Sequence, residues 1–284
     1  MITLTQENYF TPENTAISNS KVSDYLRSKE YYYKRHISHE LSFTPTAPVK
    51  IGRIVDAIVS QQKVPYEVKV LKRDDPDRFE YQKTMPDDAF VTESQWEEGQ
   101  QRAQAITREP FYQEYLQKGA KFQVLLQHQM TIDDGQEMNI CGMADLMMLD
   151  GDTLYIDDCK SVSPMKVKTP GHWYWNCRDM GYFRQMGAYA FMARETLQKE
   201  MGFTRIVARH FVVTKEMDGL YKVHLFIIPD AQLWFSAGEF IGHATKIHHE
   251  KDWIDPPVTW DAATALMPPN SDDSKYDDEE EGFE

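Results

Sequence analysis

Cysteine is scarce in this chain of 284 residues: Cys141, Cys159 and Cys177 are widely spaced and form no C-x-x-C pair. So few, so scattered, they exclude a disulfide framework, a structural zinc site and a four-cysteine iron–sulfur cluster. Long apolar runs are also missing. No stretch approaches the roughly 18 residues that suggest a membrane-spanning helix, and the opening MITLTQENYF lacks a basic segment followed by an apolar one. The expectation is a cytoplasmic protein with no membrane partner. Repeats with a period of about 20 to 50 residues are absent, which leaves solenoids and propellers unsupported. Positive charge is in deficit, 31 basic against 45 acidic residues for a formal charge of −14, which taken whole opposes a nucleic-acid partner.

What is present is a globular composition, with 41% hydrophobic residues, enough for a sizeable core. The negative charge is localised. In SDDSKYDDEEEGFE, the last 14 residues, Asp272, Asp273, Asp277, Asp278, Glu279, Glu280, Glu281 and Glu284 stand against Lys275 alone. That segment carries −7, leaving −7 for the other 270 residues. Such a run cannot bury apolar surface, so residues 267–284, opening on Met267-Pro268-Pro269-Asn270, are expected to be a disordered acidic tail. Residues 1–266 are expected to form one domain with a helical amino-terminal portion.

Pattern assigns the elements. Val22, Tyr25 and Leu26 fit a short helix after Ser20, and Thr92 with Gln95 forms a capping box for a helix through Trp96, Ala103 and Ile106 that Pro110 interrupts. Phe122 to Ile132 alternates as a strand and turns at Asp134-Gly135. Strands over Asn139 to Leu149 and Thr153 to Ser161 flank Asp150-Gly151. A helix from about Asp179 to Lys199 follows, then a hairpin of Ile206 to Thr214 and Leu220 to Ile228. Asp230 is placed to cap a last helix bearing Leu233, Ala237, Phe240, Ile241, Ala244 and Ile247. The order predicts an α/β fold.

The chemistry concentrates in CGMADLMMLDGDTLYIDDCKS, residues 141–161. A two-residue turn at Asp150-Gly151 sets Asp145 opposite Ile156, and a four-residue turn sets it opposite Asp158. Either keeps Asp145, Asp158 and Lys160 on one face. Asp157 and Cys159 point the other way. Two carboxylates beside water and phosphate oxygens suit Mg²⁺, and an adjacent lysine can activate water or stabilise charge on phosphorus. The pattern points to metal-assisted phosphodiester hydrolysis. Acid-x-Lys recurs at Glu67-Val68-Lys69, with Asp56 upstream, and at Asp273-Ser274-Lys275 in the tail. Only Asp158-Cys159-Lys160 follows a hairpin bearing a second acid on the same face.

Gly142-x-x-Asp145, Asp158-x-Lys160-Ser161 and Gln185-x-x-x-Tyr189 together resemble the PD-(D/E)XK nuclease superfamily, and the last element resembles its RecB-like branch, which includes RecE-type and phage recombination exonucleases. The resemblance implies a restriction-endonuclease-like core, a mixed central sheet flanked by helices. It implies Mg²⁺ or Mn²⁺ held by Asp145 and Asp158, with the Cys159 carbonyl a further ligand, and a catalytic Lys160. Gln185 and Tyr189 would line the DNA site. Where the branch tends to place G-x-x-x-His, this chain has Gly52 to Asp56, so Asp56 stands in the histidine's place as a candidate metal ligand. The implied activity is a DNA exonuclease acting on single- or double-stranded linear ends in phage or bacterial recombination. A recombination or single-strand-binding protein and a second copy of the chain are the partners implied. A catalytically silent binding module and a site-specific endonuclease are the alternatives.

Charge read locally fits this. Lys160, Lys166, Lys168, Arg178 and Arg184 face only Asp179 between residues 160 and 184, giving +4, with His172, Trp173, Tyr174, Trp175 and Tyr182 interleaved. Ser161, Lys166, Lys168 and Arg184 are accordingly expected at DNA. A second basic segment, Lys21 to Arg35 around Tyr31-Tyr32-Tyr33, is the same kind of candidate.

Overall fold

The computed structural model describes residues 4–253 except 6–7, 10, 12–13, 62–68, 73 and 85–88. Glu67 and the acidic tail lie outside the described residues. Helices α1 (Asn19–Arg27), α2 (Lys29–His36) and α3 (Ala47–Val59) come first, followed by β1 (Lys69–Leu71), α4 (Arg78–Thr84) and β2 (Phe90–Thr92). Then come α5 (Glu93–Thr107), α6 (Pro110–Gln117), β3 (Lys121–Thr131), β4 (Glu137–Asp150) and β5 (Thr153–Val162). A 3-10 turn, Pro164–Val167, leads to α7 (Pro170–Asp179) and α8 (Tyr182–Met201), and the chain continues through β6 (Arg205–Lys215), β7 (Tyr221–Ile227) and α9 (Asp230–His249).

Local chemistry accounts for several boundaries. Thr92 and Gln95 form the capping box at the start of α5, each side chain bonding the other's backbone N–H. Pro110 opens α6 at a position where its missing N–H costs nothing. The helix expected from about Asp179 to Lys199 is α8, which begins at Tyr182 after Gly181 (φ 68°); α7, on the other side of that glycine, was not expected. Asp230 is the first residue of α9 rather than its cap. Pro229 holds the cap position and makes no side-chain bond there.

Five strands form one sheet in the order β3-β4-β5-β6-β7. Neighbours are antiparallel except β5 and β6, whose parallel pairing requires the crossover through α7 and α8. β1 and β2 form a separate parallel pair. On one face of the large sheet, α8 and α9 pack with Ile140, Ala144, Ile156, Ala208 and Val212. On the other, α3, α5 and α6 cover Leu146, Met148, Phe211 and Val213. This is a mixed sheet between helical layers. Among the described residues, no helix is long and apolar enough to cross a membrane.

The β4–β5 hairpin turns at Gly151-Asp152, with Asp150 paired to Thr153 and Leu146 to Asp157. That is the register expected from the longer turn, and the pairing ends at Leu146–Asp157, one residue short of Asp145 and Asp158. Gly151, at φ 59°, takes the left-handed conformation that moves the turn one residue along.

Candidate functional site

Asp145 occupies a break in the pleat of β4. Met138, Ile140 and Ala144 face the α8–α9 layer, yet Leu146 and Met148 face the opposite layer and Met147 takes over the first. Strict alternation therefore fails between Ala144 and Leu146. Across on β3, Gln123 lies between the pairs Phe122–Leu146 and Val124–Ala144 and has φ +49°, rare for a side-chain-bearing residue. Its Nε2 reaches Asp145 Oδ1 at 3.5 Å, and the backbone N–H of Cys159 donates to Asp145 Oδ2 at 2.8 Å. The irregular backbone thus fixes the carboxylate against β5.

Asp158 is 1% exposed. Its Oδ1 accepts from Gln185 Nε2 at 3.0 Å, its Oδ2 pairs with Lys160 Nζ, and the same Gln185 nitrogen donates to the Tyr189 hydroxyl at 2.8 Å. Gln185 and Tyr189 are one turn apart on α8, so both reach β5 from one helix face. Gly142 makes that approach possible: a Cβ there would stand 2.6 Å from Tyr189 Cε1 and 2.9 Å from Met192 Cε.

The electrostatics are those of crowded carboxylates. Burial, then the neighbouring Asp158, pushes Asp145 up to about 7. Asp56, on α3, is raised well above the usual carboxylate range by burial and then by Asp145. Burial opposes the charge on Lys160, but Asp158 and Asp145 outweigh it and hold the ammonium above the ordinary lysine value. Behind this group, His210 pairs with Asp158 across the parallel strands and is pushed down to about 3 by burial and by Lys160, so it is neutral. On the opposite face of β5, Asp157 accepts two bonds from Arg209 at 2.7 and 3.0 Å.

Asp145, Asp158, Lys160, Gln185 and Tyr189 therefore converge, and Asp56 senses the same charges. An all-oxygen, mutually repelling donor set fits a hard divalent cation. Among the described residues, no three His, Cys, Asp or Glu side chains form a ready-made metal cage. Mg²⁺ commonly takes only one or two carboxylates and keeps water, so the pair Asp145–Asp158 suits it. The Cys159 side chain packs in the α3–α5 layer, leaving its backbone as the part beside Asp145.

Other expected residues are placed elsewhere. Ser161 Oγ accepts from Arg102 Nη1 at 2.6 Å. Arg184 donates to Asn19 Oδ1 and Ser23 Oγ, both at 2.8 Å, tying α8 to α1. Lys166 and Lys168 are exposed. The amino-terminal basic segment is largely engaged internally: Lys29 with Glu250, Lys34 with Glu30, Arg35 with Asp24, and Tyr32 stacked on Trp253. Gln123 and Arg102 carried no sequence signal, because a positive φ and a cross-layer contact leave no local pattern.

The model of the PD-(D/E)XK nuclease superfamily matches residues 16–250. This chain belongs to that superfamily. A crystal structure described as a "Putative exonuclease" from Eubacterium rectale matches with a TM-score of 0.60 at 14% identity, covering 94% of this chain and all of the other. That likeness shows a shared fold. The crystal structure of SSO0001 aligns at 13% identity over 68% of this chain and 83% of its own, with a TM-score of 0.26. No curated protein matches the chain. Within the superfamily's core, the acid-x-Lys strand is β5, and the helix bearing Gln185 and Tyr189 packs directly on it.

Proposed function

We propose that this chain is a divalent-metal-dependent DNA exonuclease of the RecB/RecE-like branch, acting in phage or bacterial recombination or DNA processing. The observation that carries the reading is the Gln185 amide, which bonds both Asp158 and Tyr189 and so joins the Q-x-x-x-Y element to the acid-x-Lys strand. In this reading Asp145 and Asp158, assisted by Asp56 and the Cys159 carbonyl, hold Mg²⁺ or Mn²⁺. When bound, such an ion supplies the Lewis acidity that phosphodiester hydrolysis needs.

The side chains divide the remaining work. Lys160, held as an ammonium between carboxylates, donates to a non-bridging phosphate oxygen and stabilises the charge that grows there. That is charge stabilisation rather than proton abstraction, because a base must first be neutral. Gln185 keeps the Asp158 carboxylate oriented, and Tyr189 fixes Gln185. Lys166 and Lys168, standing in solvent on the segment after β5, meet backbone phosphates of the strand. Ser161 and Arg184 brace the site through Arg102 and α1.

The test offers linear DNA labelled at the 5′ or 3′ end, and closed circular DNA, with Mg²⁺ or Mn²⁺ or with chelator. Release of nucleotides from linear ends only, lost with chelator, is expected. Lys160→Ala and Asp158→Ala should each lower the rate by a factor of about 100 or more. Unchanged metal-dependent cleavage by Lys160→Ala rejects the assignment. Cutting of circles indicates an endonuclease, and neither cleavage nor metal binding indicates a silent binding module.

A further inference from the structure

On the face of α7 opposite Cys177 lies a groove of about 410 Å³ whose lining includes none of Asp145, Asp158 and Lys160. His172, Trp175, Asn176 and Asp179 line it from α7, at the spacing of one helix face. Met165 and Lys166, from the 3-10 turn after β5, form the opposite wall. Chain order keeps the two sites close, since β5 carries Lys160 and only a few residues separate it from the turn. Structure does so too: the other face of α7 carries Cys177, whose Sγ is 3.8 Å from Nδ1 of His210, the residue paired with Asp158.

The lining has the chemistry of a built subsite. Trp175 is 55% exposed, a large apolar surface that folding leaves in water. The Arg178 guanidinium lies 5.1 Å from its ring centroid, and Tyr174 packs edge-on against it at 5.6 Å, so the indole is held in place rather than free. Asn176 is 7% exposed, yet its Nδ2 has no hydrogen-bond partner among the described residues. A buried amide left in that state is costly unless something completes it. Asp179 adds an exposed carboxylate acceptor, and Lys166 a cation for a phosphate.

We infer that this groove is a subsite for an unpaired nucleobase bearing an exocyclic amine, on the strand that the acid cluster cuts. The inference rests on the nuclease reading and goes further by naming what part of the DNA is recognised and where. An aromatic ring accepts any base by stacking. The exposed carboxylate does the selecting. The Asp179 carboxylate accepts from the amino group of cytosine or adenine, while Asn176 closes the floor of the groove beneath it. Thymine lacks the amine and turns a carbonyl oxygen toward the carboxylate, which repels it. Lys166 then lies on the backbone side of the base. The same groove is unsuited to a paired base, whose amine is already engaged.

Binding is measured with the full chain carrying Lys160→Ala, so that strands stay intact, using fluorescence anisotropy of labelled oligo(dC), oligo(dT) and an abasic strand of equal length. Oligo(dC) should bind roughly ten-fold tighter than oligo(dT) or the abasic strand. Asp179→Asn, an exposed and nearly isosteric change, should bring oligo(dC) down to the affinity of oligo(dT), and Trp175→Ala should weaken both base-bearing strands to the level of the abasic one. Circular dichroism of each variant excludes loss of fold. Equal binding of all three strands by a chain whose wild type cleaves DNA overturns the subsite and leaves the nuclease reading standing. Retained discrimination in Asp179→Asn also overturns it. Absence of both cleavage and strand binding in the wild type overturns both.

Discussion

The Lys160 ammonium lies over the ring of Tyr182, 4.7 Å from its centroid, while Nζ pairs with Asp158. Tyr182 is the first residue of α8, placed there by the left-handed Gly181, and its ring lies 5.9 Å from that of Trp173 and 6.1 Å from that of His210. The aromatic face is a second hold on the lysine, one that persists when Asp158 turns toward another partner.

Replacing that face tests the hold. Tyr182→Phe keeps the ring and should keep kcat within about two-fold. Tyr182→Leu removes a cation–π contact of about 0.5–2 kcal/mol, so kcat should fall by roughly 2- to 30-fold with KM little changed. Steady-state kinetics on a linear substrate separate the two. Equal losses in both variants would mean that the hydroxyl, not the ring, matters.

Gly142→Ala should damage the site from behind. The added methyl meets Tyr189 Cε1 at 2.6 Å and cannot be accommodated without moving the ring that holds Gln185. Overpacking of this kind costs about 1–3 kcal/mol, and cleavage should fall with it. Calorimetry and activity are measured together. Pairing Gly142→Ala with Tyr189→Leu, which opens the space, should cost less than the sum of the two single changes.

The sheet and the acid cluster were legible because β-alternation and the D-x-K spacing are local patterns. Thr92–Gln95, Phe122 to Ile132 and the hairpin of Ile206 to Thr214 and Leu220 to Ile228 gave elements within a few residues of those observed. α7 was not legible: it occupies residues where no element was expected, and its start rests on the Thr169 cap and Pro170. The break at Asp145 was hidden because it rests on Gln123 in a conformation that residue seldom takes. Ser161 and Arg184 carried the charge and hydrogen-bonding capacity expected of DNA contacts, but tertiary packing supplied Arg102, Asn19 and Ser23 as nearer partners.

Acid should loosen the amino-terminal helices first. Glu250, at the end of α9, accepts from Tyr25 at 2.6 Å and pairs with Lys29 at 2.8 Å, and these bonds hold its carboxyl down to about 2. A depressed acid contributes stability that is complete above its unfolded value, near 4.5, and is lost as pH falls toward its folded one. Glu250→Gln should therefore lower Tm at pH 7, with the gap to wild type closing between about pH 4.5 and 2. A constant gap across that range would assign the effect to packing instead of charge.

Divalent metal should stabilise the folded chain, and more so as pH rises. Asp145, raised to about 7, runs opposite to Glu250: its folded form favours the proton, so stability is fullest at low pH and declines as pH climbs from the unfolded value near 3.8 through the folded one. A cation between Asp145 and Asp158 removes that cost and adds its own binding energy, about 2.7 kcal/mol at one hundred times its dissociation constant. Differential scanning calorimetry with Mg²⁺ against chelator should show a larger rise in Tm at pH 8 than at pH 5.5. Asp158→Asn removes one of the two carboxylates while keeping the Gln185 bond possible, and should abolish most of the rise at both values. An equal rise in that variant would place the stabilising cation somewhere other than between β4 and β5.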